Sequence, residues 1–214
     1  MRARAAPRVA RASRAPRATL PELDARDDAR PLRPRHVVAN EIVVVDDALT
    51  PRDCARIVDA IGDAFAPATS GARRGEARRR NGRFAETSEA FARRLFERAR
   101  VARTFAFEMD DAAGLNPNVR VYRYREGERF GAHVDERVTA LGRRSKYTAL
   151  YYLGGEDLEG GATIFYDEFG DERCRVRPKI GRALYFRHGA DMPEHEGEEV
   201  RGGTKYVLRS DVLF

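Results

Sequence analysis

The 214-residue sequence predicts a mainly β fold, a sandwich or barrel with flanking helices. Six short runs rich in β-branched and aromatic residues follow Asn116-Pro117, and Gly-containing turns separate most of them. The preceding part contains one apolar β-type run and two stretches with helical periodicity. No run of about 18 apolar residues is present, so the sequence predicts no membrane span.

The elements of the first half can be placed in order. VVANEIVVVDDAL (37–49) predicts a strand. TPRDCARIVDAIGDAF (50–65) predicts a helix, because Thr50 suits the N-cap, Pro51 suits the first turn, and an apolar stripe follows. Its stripe consists of Ile57, Ile61, Ala64 and Phe65. The polar, Arg- and Gly-rich residues 66–83 predict a loop, and TSEAFARRLFERARVARTF (87–105) predicts a second helix that buries Phe91, Leu95, Phe96 and Ala99.

The second half contains the predicted strands. They are VRVYRYR (119–125), KYTALYYL (146–153), GATIFY (161–166), CRVRP (174–178), RALYFR (182–187) and TKYVLRSDVLF (204–214). We therefore expect one domain over 36–214, with helical support in 36–115 and a β core in 116–214.

Charge is concentrated at the N-terminus. Residues 1–35 contain ten Arg and four acidic residues, which accounts for the whole net charge of +6. This segment predicts a disordered Arg/Ala-rich leader or tail, and its first 21 residues resemble a mitochondrial or plastid transit peptide; a cytoplasmic protein is the alternative. The neutral remainder argues against a nucleic-acid partner. Cys54 and Cys174 lie far apart, which fits a reducing compartment.

The segment FGAHVDERV (130–138) contains a possible metal site. In a strand, His133 and Asp135 would point to the same face, and a second His could complete a set of two His and one carboxylate. Such a set leaves positions open on Fe(II) for a cosubstrate and dioxygen. His188 and His195 both compete for the third position, whereas His36 precedes the first strand and is expected to be structural.

Five elements in order resemble the prolyl-4-hydroxylase-like branch of the 2-oxoglutarate- and Fe(II)-dependent dioxygenases. They are YRYREGERFGAHVDE, YTALYYL, EGGATIFY, GRALYF and HEGEEVRGGTKYVLRSDVLF. The resemblance covers roughly residues 36–214 and is densest in 116–214. It implies a double-stranded β-helix, a jelly-roll, cupin-like core, with the iron at its mouth.

The resemblance also implies roles for single residues. His133, Asp135 and His195 match the iron ligands; His195 is preferred to His188 because ten residues separate it from the basic residue Lys205. Lys205 matches the cation that pairs with the distal carboxylate of 2-oxoglutarate. The neighbouring positions carry open alternatives. Arg209 could share this role or pair with Asp211 or another acid; Tyr124 and Tyr152 could bind the cosubstrate or pack in the core; Thr163 is expected near the site and His188 behind the ligands.

The implied function is hydroxylation of an unidentified substrate, with succinate and CO2 as coproducts. Prolyl residues of a protein are the first candidate, and a nucleic acid or a small molecule is the alternative. The implied cofactors are Fe(II), 2-oxoglutarate and L-ascorbate. Phe130 stands where an aromatic Tyr is frequent, and the segment after Lys205 lacks a Trp, so the resemblance supports the iron chemistry more than the prolyl substrate. A non-catalytic metal-binding β-helix protein, acting as sensor or scaffold, is the competing hypothesis.

Overall fold

The computed structural model describes residues 18–24, 31–70, 77–108, 111–155, 157–189, 192 and 194–214. The described residues form three helices, α1 (Pro51–Ile61), α2 (Glu89–Arg98) and α3 (Val101–Thr104). The strands of the first half are β1 (Pro34–Val38), β2 (Ile42–Val45), β3 (Ala66–Ser70), β4 (Arg79–Thr87) and β5 (Gly114–Leu115). Those of the second half are β6 (Asn118–Tyr124), β7 (Arg129–His133), β8 (Thr139–Ala140), β9 (Arg143–Tyr152), β10 (Glu159–Gly160), β11 (Thr163–Tyr166), β12 (Glu172–Val176), β13 (Ala183–Arg187), β14 (His195–Gly197), β15 (Val200–Gly202) and β16 (Lys205–Leu213).

Most of these strands belong to one antiparallel sheet that curls on itself. Its order is β1-β2-β13-β9-β16-β6-β4-β7-β14-β11-β12. In addition, β3 pairs with β4, β5 with β16, β8 with β9, and β10 with β15. Neighbours in the sheet are distant in sequence, as in a jelly-roll, so the predicted double-stranded β-helix is confirmed. The short β4–β7 pairing, at Arg79↔Phe130 and Arg80↔Arg129, connects strands β1-β2-β13-β9-β16-β6-β4 to strands β7-β14-β11-β12.

Two apolar clusters lie on the two faces of this sheet. The outer cluster packs the sheet against the helices and includes Ile57, Leu95 and Leu208. The inner cluster fills the curled sheet and includes Tyr152 and Val207. Because Leu208 and Val207 are adjacent on β16, strand alternation assigns one to each cluster.

The N-terminus of α1 forms as the sequence predicts. Thr50 accepts a hydrogen bond from the Asp53 amide (3.1 Å), and the Asp53 carboxylate accepts one from the Thr50 amide (2.9 Å), so both members of a capping box are present. Arg98 at the end of α2 donates to the same carboxylate at 2.7 Å, with both side chains nearly buried. The capping box therefore also joins α1 to α2.

Several local predictions are wrong. The loop over 66–83 is largely the β3–β4 hairpin, although 71–76 lie outside the described residues. The strand over 37–49 is the β1–β2 hairpin, which turns at Asn40 with φ +58°. The helix over 87–105 breaks at Arg100, whose φ of +50° ends α2 before α3 begins. Ala64 is exposed and contributes nothing to the stripe on α1.

The predicted domain boundaries also differ from the structure in part. Leu23 lies inside the predicted leader, yet it is 2% exposed and packs in the outer cluster. The Leu20 amide donates to Glu86 on β4 at 2.7 Å, and β1 begins at Pro34. Residues 1–17 of the predicted leader lie outside the described residues. The support segment 36–115 contains strands β2 to β5 as well as helices.

Candidate metal and cosubstrate site

The three predicted metal ligands come together at one end of the inner cavity. His133 ends β7 and His195 begins β14, and the two are directly opposite each other in the β7–β14 pair. The ligand atoms of His133, Asp135 and His195 lie within 4.8 Å of one another. The Asp135 carboxylate oxygens lie 3.6 Å from His133 Nε2 and 3.7 Å from His195 Nε2. Two imidazole nitrogens and one carboxylate on one face form a donor set that suits Fe(II).

Asp135 differs from the prediction in one respect, because it lies beyond the end of β7 and not within a strand. Asp135 is 6% exposed, and each oxygen of its carboxylate has a side-chain partner. Arg209 contacts Oδ1 at 2.9 Å, and the Thr148 hydroxyl donates to Oδ2 at 2.7 Å. Its carbonyl accepts a hydrogen bond from the Gly189 amide at 3.1 Å. Side-chain and backbone contacts therefore replace the strand ladder in placing this ligand.

The protonation states favour a divalent cation. His133 Nδ1 lies 2.9 Å from the Gly131 carbonyl, which can only accept, so Nδ1 carries the proton and Nε2 is free for a metal. Burial lowers the pKa of His195 to about 3, which keeps its imidazole neutral. Burial opposes ionisation of Asp135, but the charge of Arg209 and contacts with His133 outweigh it and hold the pKa of this carboxyl well below its usual range. Metal ligands need these deprotonated forms.

Lys205 lines the same cavity as this cluster and begins β16. It is 3% exposed, and its Nζ lies 5.3 Å from the centre of the Tyr124 ring and 5.8 Å from that of Tyr152. Within the described part of the chain, no carboxylate lies at ion-pair distance from it. Burial lowers the pKa of Lys205 to about 8, and the more distant Glu198 only partly opposes this effect. A buried ammonium group without a counter-charge fits one carboxylate of a bound dianion.

Of the two predicted tyrosines, Tyr124 lines the same cavity as Lys205, whereas Tyr152 lies behind Thr163, which lines it. The Tyr152 hydroxyl lies 2.8 Å from the Thr163 hydroxyl, and both side chains are buried. Burial raises the pKa of both Tyr124 and Tyr152, so both phenols stay protonated and can donate to a bound oxygen. Both tyrosines pack in the inner cluster, and Tyr124 also lines the cavity, so packing and contact with a ligand are compatible for Tyr124.

Arg209 faces the cavity but is already engaged by acids. Besides the contact with Asp135, its Nη2 lies 3.6 Å from Asp211 Oδ1, and Asp211 is fully buried. The amide of Asn116 donates to the other Asp211 oxygen at 2.9 Å. This arrangement favours the alternative in which Arg209 pairs with acids over a direct role in cosubstrate binding.

An aromatic wall borders the metal ligands. Phe130 stacks on His133 with ring centres 3.7 Å apart, and the Arg79 guanidinium lies over the rings of Phe130 and Tyr122 at 4.8 Å and 4.5 Å. Tyr122 and Arg79 were not predicted as site residues. Tyr122 could have been identified, because it alternates with Tyr124 along β6 and so faces the same side. The cavity contains about 430 Å³ of space, part of it open to solvent.

His188 is not placed as a third ligand. It is 1% exposed and lies behind Asp135, with its ring nitrogens near Ser145 and Thr148. Burial lowers the pKa of His188. Ser145 and Thr148 were missed by sequence reasoning, although Thr148, Leu150 and Tyr152 share the inward face of β9 by alternation. His36 lies on β1 and contacts Phe107 edge-to-face, away from the site.

The fold and this donor set are typical of metal-dependent oxygenases of the jelly-roll type. Residues 119–210 match the profile of the 2OG-Fe(II) oxygenase superfamily. The match indicates a 2-oxoglutarate- and Fe(II)-dependent oxygenase, an oxidoreductase. The matched segment begins on β6 and ends on β16, and it contains all three candidate ligands as well as Lys205. No curated protein sequence matches this chain significantly.

Several solved structures share the fold. A collagen prolyl hydroxylase of Paramecium Bursaria Chlorella virus-1 is 16% identical, with a TM-score of 0.59 over 82% of this chain and 97% of that one. A prolyl-4-hydroxylase of Pseudomonas putida is 18% identical, with a TM-score of 0.57 over 84% and 96%. A Trichoplax adhaerens prolyl hydroxylase, solved with a peptide fragment of the hypoxia inducible factor oxygen degradation domain, is 15% identical, with a TM-score of 0.58 over 83% and 86%. At these identities the similarity concerns the fold.

None of the helices that the structure describes has the length and apolar character of a membrane span.

Proposed function

We propose that this protein is a 2-oxoglutarate-dependent hydroxylase whose iron is held by His133, Asp135 and His195. The observation that carries the proposal is the convergence of these three ligand atoms within 4.8 Å, in a cavity that also contains the ammonium of Lys205, which has no carboxylate partner among the described residues. An Fe(II) ion held by these residues would supply the activation of dioxygen that accompanies conversion of 2-oxoglutarate to succinate and CO2. The chain's own residues bind, orient and enclose the reactants.

Lys205 is the proposed partner of the distal carboxylate of 2-oxoglutarate. Its burial and its missing counter-charge support the assignment, because a fixed cation in a low-dielectric site binds a carboxylate more strongly than an exposed one does. Gly161, with φ +69°, brings its backbone to the Lys205 stem, where a Cβ would lie 3.4 Å from Lys205 Cδ. Tyr124 and Tyr152 are proposed to donate hydrogen bonds to the cosubstrate, and Arg209 to hold Asp135.

The proposed substrate is a peptide segment that contains proline. The support is the shared fold with three prolyl hydroxylases, one of them solved with a bound peptide fragment. L-ascorbate is proposed as the reductant that restores Fe(II), and residues 1–17 as part of an organelle leader. Hydroxylation of a small molecule is the outcome to be expected if prolyl peptides give no succinate above the uncoupled rate.

Anaerobic visible absorption tests the site directly. Addition of Fe(II) followed by 2-oxoglutarate is expected to give a weak charge-transfer band that needs both additions. The band should disappear in His195→Ala and Asp135→Ala, whose far-UV circular dichroism should stay that of the wild type. Iron binding without any band would contradict the cosubstrate assignment. A wild-type band in either variant would contradict the ligand assignment.

A peptide assay then separates the hydroxylase from the non-catalytic alternative. Succinate that accumulates in proportion to a mass gain of 16 Da on a prolyl peptide would support the substrate proposal (one oxygen atom, about 16 Da). Iron and 2-oxoglutarate binding with no succinate from any substrate would favour a sensor or scaffold.

A further inference from the structure

A chain of hydrogen bonds runs from the metal ligand Asp135 into the protein interior. The Thr148 hydroxyl lies 2.7 Å from Asp135 Oδ2 and 3.0 Å from His188 Nδ1. His188 Nε2 lies 2.8 Å from the Ser145 hydroxyl, which also accepts a hydrogen bond from the Val138 amide at 2.9 Å. Thr148, His188 and Ser145 are each no more than 1% exposed.

The direction of each hydrogen bond follows from counting protons. Asp135 is ionised and can only accept, so the single proton of the Thr148 hydroxyl points to its Oδ2. Thr148 must then accept from His188 Nδ1, which therefore carries a proton. At the other end, the Ser145 hydroxyl accepts from the Val138 amide, and its own proton has His188 Nε2 as partner. A neutral His188 protonated on Nδ1 satisfies every member of the chain.

We infer that His188 is a positioning residue for the metal site, which acts through Thr148 to fix the Asp135 carboxylate. This inference rests on the proposed ligand role of Asp135. The imidazole holds the Thr148 hydroxyl in the one rotamer that donates to Oδ2, and Ser145 selects the tautomer that makes this possible. A carboxylate with one oxygen committed to Thr148 presents its remaining lone pairs in a fixed direction.

The backbone around Asp135 explains why such a chain is needed. Asp135 has left the β7 ladder, so no strand neighbour fixes its side chain. Its segment is instead tied to the segment of His188: the Gly189 amide donates to the Asp135 carbonyl at 3.1 Å, and Arg137 Nε donates to the His188 carbonyl at 3.4 Å. The His188 amide in turn donates to the Lys146 carbonyl on β9 at 3.1 Å. His188 therefore connects β9, β13 and the ligand segment at one point.

Arg209 contacts the other Asp135 oxygen, and the two supports differ in character. Arg209 provides charge, whereas the Thr148–His188–Ser145 chain provides direction and is built from neutral groups. Interactions behind a metal ligand contribute about 10- to 100-fold to metal affinity. A change in the orientation of the Asp135 carboxylate, with its charge unchanged, should therefore be measurable as a change in metal affinity, independently of turnover.

Co(II) titration of the full chain without oxygen, followed by visible d–d absorption, tests the inference. Thr148→Val keeps the shape of the side chain and removes its hydroxyl, and we expect about 10- to 100-fold weaker Co(II) binding and a shifted spectrum. Its matched control, Thr148→Ser, keeps the hydroxyl and should stay within about threefold of the wild type.

His188 variants test its action through Thr148. His188→Leu should weaken Co(II) binding about tenfold, whereas His188→Asn, whose amide nitrogen can replace Nδ1, should recover most of the affinity. The double variant Thr148→Val/His188→Leu should bind no more than about threefold more weakly than Thr148→Val alone, because residues in series are not additive. Ser145→Ala, a small change at the far end, should cost about threefold and gives a second measure should the His188→Leu variant fail to fold.

The outcomes separate this inference from the proposed function. Wild-type Co(II) affinity in Thr148→Val, His188→Leu and Ser145→Ala, together with weak binding in His133→Ala, would overturn the positioning role and leave the ligand assignment intact. Additive losses in the double variant would also overturn it, since they indicate independent structural effects. Stoichiometric Co(II) binding in His133→Ala would overturn the ligand assignment, and the positioning role with it.

Discussion

Replacement of Lys205 by methionine should change stability and cosubstrate binding in opposite directions. Lys205 is 3% exposed and has no ion-pair partner among the described residues. The change in its pKa from 10.5 to about 8 corresponds to a cost of roughly 3 kcal/mol for holding the ammonium in the folded protein. Lys205→Met keeps the length of the side chain and removes this cost, so the free energy of unfolding at pH 7 should rise by up to about 3 kcal/mol.

The same substitution should weaken cosubstrate binding. The distal carboxylate of 2-oxoglutarate would lose its only proposed cation, and removal of one partner of a buried ion pair costs about 3–5 kcal/mol. The dissociation constant for 2-oxoglutarate should therefore rise by at least about 100-fold. Anaerobic isothermal titration of 2-oxoglutarate into the Mn(II)-loaded protein measures this constant, and urea unfolding of the metal-free protein measures stability.

The pH dependence of stability gives a further check. A lysine whose folded pKa lies below its unfolded value destabilises the protein fully below pH 8, and the penalty disappears as pH rises from about 8 to 10.5. The stability gain of Lys205→Met should therefore vanish near pH 10. Lys179→Met is the matched control, because Lys179 is half exposed and lies 3.8 Å from Asp46 at the surface. An unchanged dissociation constant in Lys205→Met would refute the role of Lys205 as the carboxylate partner and favour Arg209 in that role.

Four further predictions follow from the same contacts. Wild-type affinity for 2-oxoglutarate should fall about tenfold per pH unit above pH 8, as Lys205 loses its proton, and should be flat over this range in Lys205→Met; a flat wild-type profile would contradict the assignment. Arg209→Gln should lower the free energy of unfolding by about 3–5 kcal/mol in urea, because the buried Asp135 loses its cation, while Asp211 keeps Arg120 at 3.6 Å; loss of 2-oxoglutarate affinity at unchanged stability would make Arg209 the anchor instead. Asp53→Asn should cost about 2–3 kcal/mol in urea at pH 7, since it removes the negative charge from the oxygen that Thr50 and Arg98 share. Burial opposes ionisation of Asp53, but Thr50 and Arg98 hold its pKa below 3.8, so the difference from wild type should shrink as pH falls below that value; a constant difference would exclude an ionic cause. Tyr152→Phe should weaken 2-oxoglutarate binding by about fivefold in the same titration, and no change would leave Tyr152 a packing residue.

The β-rich half could be predicted closely because its strands are apolar on at least one face. The run 182–187 corresponds to β13, Ala183–Arg187, and 119–125 to β6, Asn118–Tyr124. The residues His133, Asp135 and His195 could be predicted as a metal site because a metal needs several donor atoms at one point. The structure brings these three together, and Lys205 into the same cavity.

The hairpin over β3 and β4 could not be predicted, because its sequence has no alternation of apolar and polar residues. RRNGRFAET on β4 is Arg-rich, yet Asn81 and Phe84 are buried on opposite faces, with Asn81 toward the curled interior. A strand that lines a polar cavity does not show the pattern of a strand over an apolar core. The hydrogen bonds of His188 with Ser145 and Thr148 could not be predicted for a different reason, since they join residues up to 43 positions apart.

The position of His133 opposite His195 has a consequence for how the protein folds. These residues are 62 positions apart (195 − 133), so the site exists only after β7 and β14 have met. Non-local pairing of this kind is slow to form, because the entropy of loop closure is lost before any contact is gained. A metal ion bound there would contact both strands and would therefore stabilise only chains in which the two strands are already paired. Amide hydrogen exchange along β7 and β14 should therefore slow on Co(II) addition more than exchange along β9 and β16, which are fixed by their own long pairing.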